Sequence, residues 1–228
     1  MIDQLIFIAL PYTAAALAIV MTIVRWRTNR FTYSSLSSQL LENSILSWAS
    51  VAWHYAILII LLAHLGATVF PGLWARLLGG RFQLYVLEIT GLGLALLSIV
   101  GLGLFIWRRL ALRRIRAVTT RGDWLLLIAL LAQVILGFLV ASLYRWGATW
   151  YLHTATPWLT SLVRLDPNIT ALVPLPWLIK LHFAGGFVIL ALLPFTRLIH
   201  AITLPIGYLW RPYQIVVWNR RQTRANRG

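Results

Sequence analysis

Four histidines lie in two strongly apolar segments of the chain. His54 and His64 are ten residues apart in the stretch W-H-Y-A-I-L-I-I-L-L-A-H-L-G, and His182 and His200 are eighteen residues apart in a later segment. An imidazole ring that leaves water for hydrocarbon costs free energy unless a partner satisfies its nitrogens. The four rings therefore need partners, and metal ligation and proton transfer are the chemistries open to them.

The composition indicates that these segments cross a membrane. Of the 228 residues, 60% are hydrophobic and only 11% are charged, which is too little polar surface to cover a soluble globule. A hydrocarbon core about 30 Å thick needs roughly 20 helical residues. Five stretches meet that length, at residues 5–24, 46–70, 84–107, 124–144 and 176–200. The predicted fold is therefore all-α, an integral membrane bundle of five transmembrane helices. The first stretch is expected to stay as a span, because no basic region or cleavage site marks a signal peptide.

The basic residues predict how the spans are oriented. The 20 Lys and Arg occur in short clusters between apolar stretches. This pattern is typical of charges that determine membrane topology rather than of a nucleic-acid-binding face. Fifteen arginines follow the first and third spans or lie at the end of the fifth span and in the tail, against four arginines and Lys180 on the other side. Short cytoplasmic loops retain positive charge. We therefore expect one domain over residues 1–228, with its N-terminus outside and a cytoplasmic tail from about residue 201.

In this orientation the histidines pair by depth. His64 would face His182 near the outer side, and His54 would face His200 near the inner side. The ten-residue gap spans about 15 Å and the eighteen-residue gap about 27 Å, a difference that helix tilt and a kink at Pro194 would absorb. Eighteen helical residues also return His200 to the face of His182, whereas ten leave His64 about 80° from His54. Two neutral imidazoles across a flat macrocycle are the axial ligands of a b-type haem, so the pattern predicts two b-type haems.

Other roles for the histidines remain open. They could be hydrogen-bonded packing residues. They could also form a proton relay, and in that case the chain would be a haem-free transporter. The chain has no H-E-x-x-H pattern of a catalytic zinc site and no cysteine for cysteine-ligated clusters or covalent haem attachment. The glycines of H-F-A-G-G at residues 182–186, and Gly66, would let a porphyrin approach the backbone or would simply allow close helix packing.

Three charged residues near the ends of the third span are further candidates. Arg108 and Arg109 could bind the propionates of the inner haem, or they could lie among phosphate headgroups as part of the topology signal. Glu88 is a lone acid at a depth where acids are rare, which makes it a functional candidate. The alternative is that Glu88 lies close enough to the interface for its carboxylate to reach water.

Four blocks of sequence carry a family resemblance. They are L-S-S-Q-L-L-E at residues 36–42, the H-x9-H pair His54 and His64, R-I-R-A-V-T-T-R-G-D at residues 114–123, and a block over residues 180–209. The last block opens K-L-H-F-A-G-G and continues L-L-P-F-T-R-L-I-H-A-I-T-L-P-I-G-Y-L, and its H-x17-H spacing is the most specific feature. Together they resemble the gamma subunit of respiratory nitrate reductase, the cytochrome b membrane anchor of that complex, over almost the whole chain.

The resemblance implies two b haems with the ligand pairs given above, and quinol oxidation beside the outer haem. The family's quinol site involves a lysine in the loop that leads into the third span and a glycine just before the ligand histidine. Arg81 and Ala63 occupy the corresponding positions here. A positive group such as Arg81 or Lys180 could hydrogen-bond a quinol oxygen. The expected quinol site therefore comprises Arg81, Lys180, Ala63 and Gly66.

The resemblance also implies partners. Electrons would pass to an iron-sulfur subunit docked on the cytoplasmic side, and nitrate would be reduced on a separate molybdenum catalytic subunit. The tail segment R-P-Y-Q-I-V-V-W at residues 211–218 would help dock the partner or, alternatively, lie along the lipid as an amphipathic segment. A cytochrome b subunit of a related molybdenum or sulfur-metabolising complex is the alternative within redox chemistry. With either function, we expect the chain to lie in the cytoplasmic membrane in contact with lipid. We expect it not to bind nucleic acid.

Overall fold

Helices dominate the computed structural model, which describes residues 1–29 and 44–202 and contains no strand in those two ranges. Within these two ranges, five helices are long and apolar enough to cross a membrane: Ile2–Thr28, Ser44–Val69, Arg81–Ala111, Arg121–Leu143 and Trp177–Phe195. The all-α class and the five spans are therefore confirmed. The chain is a multi-pass membrane protein.

Short helices connect the spans. In chain order the helices are α1 (Ile2–Thr28), α2 (Ser44–Val69), α3 (Pro71–Leu77), α4 (Arg81–Ala111), α5 (Arg113–Ala117), α6 (Arg121–Leu143), α7 (Gly147–His153), α8 (Ala155–Val163) and α9 (Trp177–Leu192). The long helices pack in the series α2, α4, α6, α9 and α1. The two helices that carry the predicted ligands, α2 and α9, are thus separated by α4 and α6 along this series.

The bundle has two chemically different ends. The arginine-rich end holds Arg25, Arg108, Arg121 and Arg197, and the opposite end holds Asp3, Val69, Arg81, Tyr144 and Trp177. Four arginines that were predicted to lie in loops belong to helices instead. Arg25 and Arg27 lie in the last turn of α1, and Arg108 and Arg109 lie in the last turn of α4. Cationic side chains stabilise these carboxyl-terminal turns by interacting with the helix dipole. Arg30, the block at residues 36–42 and the tail segment 211–218 lie outside the described residues.

A proline near the start of α1 links the first span to α8. Pro11 has no N–H, so the carbonyl of Phe7, four residues earlier, has no intrahelical donor. The helix winds with π geometry over Leu5–Ala9, and the indole N–H of Trp158 in α8 donates to the Phe7 carbonyl at 2.9 Å. The rings of Phe7 and Trp158 also meet edge to face at 5.3 Å. These contacts place α8 against the first span at the opposite end of the bundle.

The fifth span ends before His200. A kinked helix as far as residue 200 was predicted, and this prediction is wrong: α9 ends at Leu192 and is followed by two 3-10 turns, Leu193–Phe195 and Arg197–Ala201. Pro194 lacks an N–H and its ring obstructs the preceding turn, which stops the α-helix. Arg25 donates to the Pro194 carbonyl at 2.6 Å, and the Thr196 hydroxyl accepts from the N–H of Leu198 at 3.3 Å. His200 therefore lies on a separate turn that these bonds fix.

Candidate functional site

The histidines nearest the arginine-rich end face each other. The ring centroids of His54 on α2 and His200 on the last 3-10 turn are 6.0 Å apart, with 63° between the ring planes. Two metal–imidazole bonds of about 2 Å each fit within that separation. The predicted inner pair is therefore brought together, although His200 reaches it from a separate turn rather than from the helical face it was expected to share with His182.

The second pair lies towards the opposite end. His182 on α9 is close enough to His64 on α2 for the two rings to interact electrostatically. The His182 ring packs against Gly137 of α6, where an added Cβ would lie 2.8 Å from its Cε1 atom. Sequence reasoning missed Gly137, whose only signal was a glycine in the middle of an otherwise apolar helix. The absence of a side chain at this position gives the His182 ring its place.

Hydrogen bonds fix the tautomer of three of the four rings. In each, Nδ1 lies within hydrogen-bond distance of a backbone carbonyl one turn earlier: His54 with Ser50 at 2.8 Å, His64 with Ile60 at 2.8 Å and His200 with Arg197 at 2.6 Å. A carbonyl oxygen only accepts, so Nδ1 carries the proton and Nε2 keeps its lone pair. This is the arrangement in which a histidine ligates a metal, because the second nitrogen is oriented by its own hydrogen bond.

The donor set fits a haem better than the alternatives. Within residues 1–29 and 44–202, no group of three or more His, Cys, Asp or Glu side chains is placed to hold a metal ion. A haem needs only two axial ligands from the protein. His182 Nδ1 is buried without a hydrogen-bond partner among the described residues. A proton relay would need ring nitrogens that exchange protons with neighbouring groups, whereas three Nδ1 atoms are bound to carbonyls of their own helices.

Positive charge gathers beside the inner pair. Arg108, Arg109 and Arg197 interact electrostatically around Asp123, which leaves two positive charges in excess. Arg108 is fully buried, and Arg109 donates to the Phe105 carbonyl at 3.2 Å while its buried Nε has no partner among the described residues. Two propionate carboxylates would balance this excess, so Arg108 and Arg109 fit the role predicted for them.

A tyrosine that sequence reasoning missed contacts the outer pair. The Tyr151 ring of α7 meets the His64 ring edge to face, with centroids 5.6 Å apart. The Thr68 hydroxyl donates to the His64 carbonyl at 2.8 Å, so the Tyr151 hydroxyl donates its proton to Thr68 over 2.9 Å. Burial raises the pKa of Tyr151, partly offset by the bond to Thr68, which keeps the hydroxyl a donor at neutral pH. Tyr151 therefore restrains His64 through both its ring and its hydroxyl.

Comparison with known proteins identifies the family. A family profile described as the nitrate reductase gamma subunit matches residues 3–219. The chain belongs to the nitrate reductase gamma subunit family. It is 30% identical to the nitrate reductase gamma chain of Bacillus subtilis, over 97% of this chain and 100% of that one. It is 28% identical to the respiratory nitrate reductase 1 gamma chain of Escherichia coli, over 94% of this chain and 97% of that one.

A longer relative contains the same region. The chain is 30% identical to the nitrate reductase-like protein NarX of Mycobacterium tuberculosis, over 94% of this chain. It spans about a third of the length of that relative, 34%. The gamma-subunit region therefore also occurs as one part of a larger polypeptide.

The four residues expected at the family's quinol site have different neighbours. Arg81 is the exposed first residue of α4, and Ala63 is half-buried beside His64. A Cβ added at Gly66 would lie 3.5 Å from the ring of Trp74, so this glycine packs against that ring.

Lys180 is buried, and its ammonium donates to Asp3 Oδ1 at 2.7 Å and to the Val173 carbonyl at 2.8 Å. Lys180 thus joins α9 to the start of α1.

The glycines after His182 have a different neighbour from the one expected. An added Cβ at Gly185 would lie 2.1 Å from Oε1 of Gln133, so this glycine makes room for the Gln133 side chain on α6. Gln133 in turn donates to the His182 carbonyl at 2.9 Å. Of the two alternatives for H-F-A-G-G, close helix packing therefore describes Gly185.

Glu88 is partly buried rather than fully open to the interface. Its side chain is only 12% exposed, and its Oε1 accepts from the Trp146 N–H at 3.2 Å and lies 3.7 Å from Nε of Arg145. The other carboxylate oxygen, Oε2, is buried without a hydrogen-bond partner among the described residues. A carboxylate that simply reaches water would not show this environment, which favours the functional alternative for Glu88.

Proposed function

We propose that this chain is the dihaem cytochrome b subunit of a quinol:nitrate oxidoreductase complex. It would oxidise quinol near the outer membrane face and pass electrons through two b haems to a cytoplasmic iron-sulfur subunit. The observation that carries the proposal is the opposed pair His54 and His200, with ring centroids 6.0 Å apart and both Nε2 lone pairs left available. The family membership supports the same function.

The chain's own residues would hold and orient the cofactors. His54 and His200 would ligate the inner haem iron, and His64 and His182 the outer one, with Arg108 and Arg109 on the inner propionates. A bound haem supplies one-electron redox chemistry between the quinol and the next carrier. Apolar residues around Trp53 and Leu102 exclude water near the inner pair, since both are buried in one cluster that Leu198 joins. Low water access limits side reactions and fixes the local dielectric.

The proposed reaction separates charge across the membrane. Quinol protons would leave on the outer side, while electrons would move inward against about 2.3 kcal/mol per charge per 100 mV. This direction depends on the predicted orientation, in which the arginine-rich end faces the cytoplasm. A high-potential acceptor must supply the driving force, and the names of the relatives favour nitrate over another acceptor.

The partners proposed for this chain are those that the family resemblance implies. A subunit without cysteine cannot ligate an iron-sulfur cluster through thiolates. A separate iron-sulfur subunit, as the resemblance implies, would dock on the arginine-rich end, and the molybdenum catalytic subunit would reduce nitrate beyond it. Lipid surrounds the remainder of the bundle.

Haem stoichiometry tests the proposal directly. The chain, expressed with its partner subunits and ample haem, should contain about two low-spin haems per copy, measured by the pyridine haemochrome spectrum. His200→Ala should retain only the outer haem. His153→Ala is the matched control, because His153 is exposed on α7 outside both pairs, and it should retain both haems. A colourless wild-type protein, or a His200→Ala variant with both haems, would refute the proposal.

A further inference from the structure

The imidazole of His182 is the exception among the four expected haem ligands. His54, His64 and His200 each hold Nδ1 against a backbone carbonyl one turn earlier. Nδ1 of His182 is buried without a hydrogen-bond partner among the described residues. If Nε2 ligates the iron, Nδ1 carries a proton, and a buried donor without an acceptor costs free energy. This ring therefore needs an acceptor from another part of the bundle.

Gln133 on α6 has a buried acceptor that lacks a donor. Its Nε2 donates to the His182 carbonyl at 2.9 Å, which fixes the orientation of the carboxamide, because a flipped amide would bring two acceptors together. Oε1 is therefore the free end, and it is buried without a partner among the described residues. One buried donor and one buried acceptor thus belong to two residues that already share a hydrogen bond.

Two glycines bring these groups into the same interface. Gly137 lies one turn after Gln133 on α6 and contacts the His182 ring, since an added Cβ would be 3.4 Å from Nε2 and 3.5 Å from Nδ1. On α9, Gly185 makes room for the carboxamide, because a Cβ there would clash with Gln133 Oε1. Residues three or four apart share a helix face. The ring and Oε1 therefore lie next to each other between α6 and α9.

A water molecule can satisfy both atoms. Nδ1 and Oε1 do not bond to each other directly, since each is without a partner among the described residues. Water accepts from an N–H and donates to a carboxamide oxygen, so one molecule serves both. Buried waters typically make about three hydrogen bonds to polar groups that would otherwise be unsatisfied.

We propose that one buried water links His182 Nδ1 to Gln133 Oε1, which makes Gln133 a positioning residue for the outer haem ligand. The inference rests on the proposed function. The link fixes both the rotation of the ring and the tautomer that leaves Nε2 free for the iron. A hydrogen bond from Nδ1 also makes the imidazole a stronger donor to the metal. Ferric iron gains more than ferrous iron from a stronger donor, so Gln133 lowers the reduction potential of the outer haem.

Redox titration of the haems, in membranes that contain the chain with its partners, tests the link. Gln133→Met keeps the side-chain length but removes the acceptor. Loss of such a bond typically weakens metal binding 10–100-fold. Because the ferric state bears most of that loss, the ferrous-to-ferric ratio of the outer haem at a fixed potential should rise about tenfold, which is about 59 mV for one electron. The inner haem is the internal reference and should not shift, because His54 and His200 bond to backbone carbonyls.

A conservative variant separates the hydrogen bond from packing. Gln133→Glu has the same shape and keeps an acceptor oxygen whether or not it is protonated, so the outer potential should stay at or below the wild-type value. Equal upward shifts in Gln133→Met and Gln133→Glu would indicate packing alone and overturn the proposal. Ser142→Ala is the control on the same helix, because its hydroxyl donates to the Phe138 carbonyl of α6 at 2.7 Å, and both potentials should be unchanged.

A glycine variant moves the acceptor without removing it. The methyl group of Gly185→Ala displaces Gln133 Oε1, so the outer potential should rise as it does in Gln133→Met. Gly186→Ala adds the same group 3.8 Å from Gln133 Nε2, an ordinary van der Waals contact, and should cause no shift. Equal shifts in the two glycine variants would show that these glycines make room for the porphyrin, and would overturn the proposal.

Menadiol, a naphthoquinol, distinguishes a positioning residue from one that binds substrate. Its half-saturating concentration for haem reduction should be the same in Gln133→Met and in the wild type, because the carboxamide acts through His182. A raised half-saturating concentration would place Gln133 at the quinol instead, and the proposal would fail.

Haem content separates this inference from the proposed function. Two haems with unshifted potentials in Gln133→Met and Gly185→Ala would overturn the link and leave the dihaem function standing. Loss of only the outer haem in Gln133→Met, with both haems kept in Gln133→Glu, would support the link, and the retained inner haem would show that the variant is folded. A wild-type chain without haem would refute the proposed function and this inference with it.

Discussion

Asp123 and Arg197 form a two-point ion pair that joins the start of α6 to the turn that carries His200. Arg197 Nε lies 2.5 Å from Asp123 Oδ1, and Nη2 lies 3.1 Å from Oδ2. Asp123 also accepts from the Thr120 N–H at 3.0 Å in the capping box of α6. The Arg197 carbonyl accepts from His200 Nδ1. One carboxylate therefore holds both a helix start and the turn of an expected haem ligand.

Asp123→Asn should release the turn that carries His200. A hydrogen bond to a charged group contributes about 1.5–3 kcal/mol, so the variant should lose inner haem on purification while keeping the outer haem. Redox titration with haem quantification measures both. Asp166→Asn changes an exposed acid near α8 and should keep both haems. Equal retention of the inner haem by both variants would show that the ion pair does not position His200.

Gly137→Ala should displace the His182 ring. The added Cβ would lie 2.8 Å from Cε1, so the ring must move, at an overpacking cost of about 1–3 kcal/mol. We expect weakened outer haem binding, seen as loss or shift of one of two low-spin ferric signals in electron paramagnetic resonance. Gly103→Ala is the control, since nothing lies within 4 Å of a Cβ at Gly103. An unchanged outer signal in Gly137→Ala would contradict the packing role.

Tyr151 should restrain His64 mainly through its ring. Tyr151→Phe removes one hydrogen bond, about 1 kcal/mol, and should leave haem content unchanged. Tyr151→Ala also removes the edge contact and should broaden the outer low-spin signal, because His64 gains rotational freedom. Tyr55→Ala, at a site that is 68% exposed on α2, provides the control. Identical spectra for all three variants would exclude a restraint by Tyr151.

Hydrophobic length and charge were sufficient to predict the spans, because both are local properties of the sequence. The structure also brings the rings of His54 and His200 close together, as the predicted pairing requires, but one of the arguments for that pairing was wrong. That argument extended a single helix to residue 200, whereas Pro194 ends the α-helix and the position of His200 depends on Arg25 and on the ion pair of Arg197 with Asp123. Such side-chain bonds to a broken helix end come from distant parts of the chain, and no periodicity encodes them.

Sequence reasoning missed three further residues for the same physical reason, namely that their roles depend on contacts between distant segments. Gly137, Gln133 and Tyr151 contact the ligand histidines across helix interfaces, and each is an ordinary residue in its own segment. The relative rotation of α2, α6 and α9 decides whether such a residue faces a ligand or lipid. A single sequence fixes that rotation only weakly when helices are apolar on all sides, as these spans are.

Lys180 should act as an anchor between α9 and α1 rather than at the quinol. Its side chain is 6% exposed and that of Asp3 is 26% exposed, so breaking the pair leaves a buried charge and costs about 3–5 kcal/mol. Lys180→Met and Asp3→Asn should each lower the thermal stability of the purified protein, and the double variant should lose less than the sum of the two. Arg164→Gln, an exposed change at the same end, should have no effect. If Asp3→Asn is as stable as wild type while Lys180→Met alone raises the half-saturating menadiol concentration, the ammonium serves the quinol instead.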